Sequence, residues 1–125
     1  GLLGISGYND VRDIQEGAAK GDARCQLAID VLATSARDWL GSFVVEMGGL
    51  DAISFTGGIG EYSVVVREAI LRDLEFLGVE VDPAKNEAVQ GEGHLHTESS
   101  RVHIHVLRTD EELVVARQTY EFLDA

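Results

Sequence analysis

Basic residues are scarce. Ten Lys and Arg stand against 22 Asp and Glu, a formal net charge of −12. No Lys/Arg cluster exists that would neutralise a row of phosphates, which speaks against nucleic-acid binding. The same deficit speaks against an anionic membrane surface. Cysteine occurs once, at Cys25. An intramolecular disulfide framework is therefore excluded, and a reducing, cytoplasmic setting is expected. No apolar run is long enough to span a bilayer, and no secretory leader is read at the start. Internal repeats and low-complexity segments are absent. The first residue is Gly1 rather than Met, so a processed product or a segment of something longer is expected.

What is present is a foldable chain. Apolar residues make up 45% of 125 positions, enough for one domain with a real core. Residues 1–10 carry three glycines and a polar end, which reads as a loop. Asp10 or Asn9 then caps a short helix through Val11, Ile14 and Ala18. From Ala23 to Met47 a helical period is strong, with Asp22 as N-cap and Gly48-Gly49 as stop. Leu50 to Thr56 is a short apolar strand leading into Gly57-Gly58-Ile59-Gly60-Glu61. A second helix runs through Val66, Ile70, Leu74 and Leu77 to a stop at Gly78. Val79–Val81 reads as a brief strand, and Asp82-Pro83 as the cap and first residue of a short helix. Residues 91–100 read as a polar surface loop. Val102, Ile104 and Val106 mark a second strand, and Thr109 opens a last helix. The predicted class is α/β.

Three places could carry chemistry. The strand–glycine–helix segment at 55–66 exposes backbone N–H groups beside a helix N-terminus, a phosphate or nucleotide cradle. No Gly-Lys-Ser/Thr follows, so it is not a P-loop. It nearly matches a dinucleotide fingerprint, Gly58-x-Gly60-x-x-Ser63 with Glu80 about twenty residues on. Glycines placed for packing alone give the same pattern. Thr109-x-x-Glu112 reads as a capping box, which leaves Glu111 at a strand's C-terminal edge, where a carboxylate could hold Mg²⁺ or simply offset the helix dipole. In Asp10-Val11-Arg12-Asp13, Arg12 could stack on a base or pair with phosphate, and Asp10 could accept from ribose hydroxyls. A cap and a surface ion pair also account for them. His94-x-His96 and His103-x-His105 invite a metal, but a polar loop and a solvated strand face explain them more simply. Cys25 sits inside a helix pattern as core packing.

Taken together, several segments resemble the C-terminal part of the acetate kinase family, within the acetate and sugar kinase, Hsp70 and actin superfamily. They are Gly1-Leu2-Leu3-Gly4-Ile5-Ser6-Gly7, Asp10-Val11-Arg12-Asp13-Ile14, Gly48-Gly49-Leu50-Asp51-Ala52-Ile53, Phe55-Thr56-Gly57-Gly58-Ile59-Gly60-Glu61, Leu74-Glu75-Phe76-Leu77-Gly78-Val79 and Thr109-Asp110-Glu111-Glu112-Leu113. The resemblance implies a ribonuclease-H-like, actin-like ATPase domain with a short mixed sheet flanked by helices. It implies that residues 1–125 are the C-terminal nucleotide-binding part of a kinase whose N-terminal domain is absent.

The implied reaction is ATP plus acetate giving ADP plus acetyl phosphate, with Mg²⁺. By the same resemblance, Asp10, Val11 and Arg12 contact the nucleoside, and Gly58, Ile59, Gly60, Glu61 and Tyr62 form a nucleotide loop. Glu111 is the magnesium-site glutamate. Tyr62 stands where the family usually has Asn. No catalytic residue of the family falls in this chain, so it should not catalyse alone. A homodimer is expected, with Trp39, Phe43 and Met47 as contact residues. A non-catalytic binding module and a small dinucleotide-binding domain are the other readings.

Overall fold

The structure is a computed structural model and describes residues 1–123. Its first layer is helical. Helix α1, Leu2–Ser6, forms where the sequence suggested a loop. The glycines at its ends allow this: Gly7 takes the left-handed conformation (φ 86°) and its N–H reaches Leu3 O. Asp10 caps α2, Val11–Ala19, by accepting from Arg12 N at 2.8 Å. Asp22 caps α3, Ala23–Met47, accepting from Arg24 N and Cys25 N. Both caps agree with the sequence reading. Ile14 of α2 and Cys25, Ala28 and Ile29 of α3 form one small core. The helices meet closely because residue 17 has no side chain. A Cβ on Gly17 would lie 2.6 Å from Cys25 Sγ.

The second layer is a sheet of order β1-β3-β2. Strand β1, Ala52–Phe55, runs parallel to β3, His103–Val106, with Ile53 opposite Ile104 and Phe55 opposite Val106. Both segments are strands, as the sequence predicted. Between them lie α4 (Gly57–Tyr62), α5 (Val64–Leu71), a 3₁₀ turn (Glu75–Leu77), α6 (Pro83–Ala88) and β2 (Gly93–His94). Strand β2 pairs antiparallel with β3, so the supposed loop at 91–100 holds a strand and a fully buried Leu95. The brief strand at 79–81 is a single bridge, Val81 to His96.

One sheet face is covered. Phe55, Leu71, Leu74, Val79, Leu95, Val102, Ile104 and Val106 form the main core there. Arg37 of α3 ties the helices to this unit by donating to Ile70 O and Arg72 O at the end of α5. That helix stops six residues before the expected stop at Gly78. Arg72 turns extended and Asp73 goes left-handed at φ 58°, a conformation that Asp tolerates better than most residues. The last helix, α7 (Glu111–Leu123), is capped by Asp110, whose Oδ1 accepts from Leu113 N at 2.8 Å. This replaces the capping box expected at Thr109 and Glu112. Asp110 lies one residue nearer the helix, so its carboxylate reaches the third helical N–H. Residues 112–123 of α7 are exposed throughout. Among the described residues no helix is long and apolar enough to cross a membrane.

Candidate functional site

Strand β1 delivers the chain directly into α4. Thr56 is extended and Gly57 is left-handed (φ 69°), so the backbone turns sharply. The glycine segment expected as a loop is therefore a short helix from Gly57 on. Its glycines do different things. A Cβ on Gly58 would meet nothing within 4 Å, whereas one on Gly60 would lie 3.2 Å from the Phe55 carbonyl carbon. Gly58 faces open space, and Gly60 lets α4 pack on the strand it has just left.

A cleft of about 810 Å³ opens beside α4. Asp10, Val11 and Arg12 form one wall, and Gly58, Ile59 and Tyr62 form the other. Two segments far apart in sequence thus face each other. Their contact is fastened by Gln15 Nε2, which donates to Ser63 Oγ at 2.9 Å. The same oxygen accepts from Val66 N and caps α5. Tyr62 is 72% exposed on the cleft wall. Arg12 grips Asp10 with two nitrogens: Nε donates to Oδ1 at 3.0 Å and Nη2 to Oδ2 at 2.6 Å. That side-chain bond, with the Arg12 backbone N–H, holds the Asp10 carboxyl down at about 2. The pair is therefore fully charged above about pH 4 and is lost as pH falls towards 2.

Gly60 and Glu61 do not line the cleft. Glu61 is buried, and its Oε1 lies 3.4 Å from Thr109 N, which donates to it. This brings the start of α7 beside α4. Glu111 is the first residue of α7, but its side chain lies outside the described residues. Among the described residues no group of three or more His, Cys, Asp or Glu is arranged to hold a metal. Glu80 lies elsewhere: its Oε2 accepts from Ser99 Oγ and Thr97 Oγ1, not at the glycine segment where a dinucleotide ribose would need it.

The sequence reading missed Arg67. It is 1% exposed and donates to Gly60 O, Glu61 O, Asn86 Oδ1 and Asn86 O. Two of those acceptors are carbonyls in the last turn of α4, which have no partner inside the helix. Burial pushes the guanidinium pKa down from its ordinary value. Its place among Val64–Leu71 hints at an inward face, but its four acceptors are visible only in three dimensions.

The model of the acetokinase family matches residues 1–117. The chain belongs to the acetokinase family. It is 47% identical over 120 residues to the acetate kinase of Shouchella clausii, which covers 95% of this chain and 30% of that protein. It is 45% identical over 124 residues to the acetate kinase of Staphylococcus haemolyticus, covering 98% of this chain and 31% of that one. The chain thus spans about 30% of the length of the curated acetokinases it matches. The crystal structure of Porphyromonas gingivalis acetate kinase superposes with a TM-score of 0.86 at 35% identity, over 98% of this chain and 31% of that one. A propionate kinase from Francisella tularensis gives 0.83 at 39% identity, over 93% and 29%. The fold is the α/β, actin-like ATPase fold of these acetokinases, as the sequence implied.

Proposed function

We propose that this chain is the nucleotide-binding part of a carboxylate kinase, one that interconverts ATP plus acetate with ADP plus acetyl phosphate. The supporting observation is the cleft itself, in which the 10–12 segment and the Gly58 turn form opposite walls. In this reading Asp10, Val11 and Arg12 hold the nucleoside, and the Gly58–Tyr62 segment holds the phosphate side. Gly58 and Ile59 act directly there, while Gly60 and Glu61 shape α4 from behind. Mg²⁺ sits at Glu111 and neutralises phosphate charge when bound. Phosphoryl transfer needs charge stabilisation and positioning from several sides. This chain supplies one wall of such a site and no catalytic residue, so alone it binds without turning over.

Binding should be weak, because a −12 chain meets a polyanion. We expect a dissociation constant on the order of 0.1–1 mM, near −4 to −5.5 kcal/mol. Calorimetry with ATP, with and without Mg²⁺, is the test. ATP should bind more tightly with Mg²⁺, and Glu111→Gln should remove that gain. No heat with ATP under either condition would favour a non-catalytic module that keeps only the fold.

Self-association belongs to the same proposal. Trp39, Phe43 and Met47 are 64%, 53% and 64% exposed along one stretch of α3, with the Trp39 and Phe43 rings 6.1 Å apart. An apolar row of this kind favours burial against a second copy. Sedimentation at high micromolar concentration should show a dimer. A purely monomeric chain would count against it.

A further inference from the structure

Tyr62 is a large aromatic side chain left in the open. It closes α4 one helical turn beyond Gly58, so the two stand on the same face of the helix. That face is a wall of the cleft. The ring is 72% exposed there, although a ring of this size gains most by burial. Ile59, three residues earlier, is also exposed and lies on the same wall. A flat, largely apolar surface therefore faces the 10–12 segment across the cleft.

The polar side chains around it are engaged with one another. Arg12 holds both oxygens of Asp10 through two nitrogens. Gln15 Nε2 is given to Ser63 Oγ, and that oxygen also accepts from Val66 N. Besides Tyr62, Asn9 is the one lining polar side chain outside these bonds. The charges cancel as well. Among the described residues Arg12 is the one cation on the cleft walls and Asp10 the one anion. The cleft thus sets a neutral, fork-shaped ion pair against an open phenol ring.

A nucleobase offers a protein a flat face and a polar edge. Reading the edge takes uncommitted donors and acceptors at fixed places, and a site built that way strongly rejects a ligand lacking the matching groups. Stacking takes only an aromatic face, and every base has one. A guanidinium plane can cover the other side of the same base.

We propose that Tyr62 receives the nucleobase by stacking, and that the cleft therefore accepts adenine and guanine nucleotides alike. The proposal rests on the nucleotide reading above and adds to it the residue that sets base preference. A purine covers more of the phenol ring than a pyrimidine does, so cytosine nucleotides bind less tightly. The ring carries the contact, and its hydroxyl has no part in it.

Titration of the whole chain with ATP, GTP and CTP, each with Mg²⁺, tests it. ATP and GTP should bind within about threefold of each other, and CTP several-fold more weakly. Tyr62→Ala should weaken ATP and GTP together, by about fivefold or more, whereas Tyr62→Phe keeps the ring and should stay within about twofold of the parent. The side chain is largely exposed, so neither substitution should shift the urea midpoint. Stacking also has a signature of its own. The Tyr62 ring protons of the parent chain should move upfield when ATP or GTP is added, a readout that stands even if the alanine variant fails to fold. A parent that binds none of the three nucleotides overturns the nucleotide reading and the stacking role with it. ATP binding about tenfold or more tighter than GTP means that an edge is being read, with Asn9 placed to read it, and overturns the stacking role alone. So does a Tyr62→Ala chain that binds ATP as the parent does, or a Tyr62 ring whose signals stay where they were.

Discussion

Replacing Arg67 with methionine should lower folding stability by about 3 kcal/mol or more. Methionine follows the path of the aliphatic stem, so packing changes little. The guanidinium's four contacts are what is lost. Gly60 O, Glu61 O, Asn86 Oδ1 and Asn86 O all accept from it, at 2.8–2.9 Å. A buried acceptor left without a donor costs about 1–3 kcal/mol, and not all four can be rehydrated at a site 1% exposed. Arg67→Lys should fall between the two. It keeps the charge, but one ammonium cannot span α4 and α6 as a fork does. Arg12→Met is the control. Arg12 also pairs through its guanidinium, but its side chain is 88% exposed, so solvent screens the pair and little or no change in stability is expected. The urea midpoint, read at constant m, separates these cases. An Arg67→Met variant as stable as Arg12→Met would mean that α4 is held by the Phe55 contact alone.

Long periodic elements and their caps were legible: α3 with Asp22 and Gly48, α6 with Asp82 and Pro83, and the two apolar strands. Their signals are local and lie in consecutive residues. What stayed hidden depends on partners far away in sequence. Strand β2 is two residues long and has no period to detect; it exists because β3 offers it an edge. The end of α5 carries no Gly or Pro, since Arg37 reaches across from α3 to take up its last carbonyls. Arg67 reads as a charged residue on a helix, and only the arrival of Asn86 makes it a buried tie. The histidines read as two unrelated pairs until β2 and β3 align. The cleft was legible in part. Both of its walls were picked out by residue type, but the Gln15–Ser63 clamp that sets their spacing was not. The glycines were picked out as a group, though their roles differ.

That difference yields the other large effect. Gly58→Val should cost at least about tenfold in ATP affinity, roughly 1.4 kcal/mol, with an unchanged urea midpoint. Nothing lies within 4 Å of the position its Cβ would take, and its φ is not in the left-handed range. The fold therefore tolerates the side chain, which stands on the cleft wall where ligand must approach. Gly60→Val should do the reverse. Its Cβ would press on Phe55 at 3.2–3.4 Å, with the rest of the valine still to be housed. The strand–helix junction must then open, at about 1–3 kcal/mol. The sequence pattern alone treats Gly60 as bare backbone for a phosphate, and on that basis either substitution removes binding in the same way. The geometry separates them. At Gly58 affinity falls without stability, and at Gly60 stability falls first, taking affinity with it as the turn is displaced. Calorimetry and urea unfolding on the same two samples decide the matter. A Gly58→Val chain that binds ATP as the parent does would remove the cleft wall from the nucleotide site, because a valine cannot share that surface with a ligand lying against it.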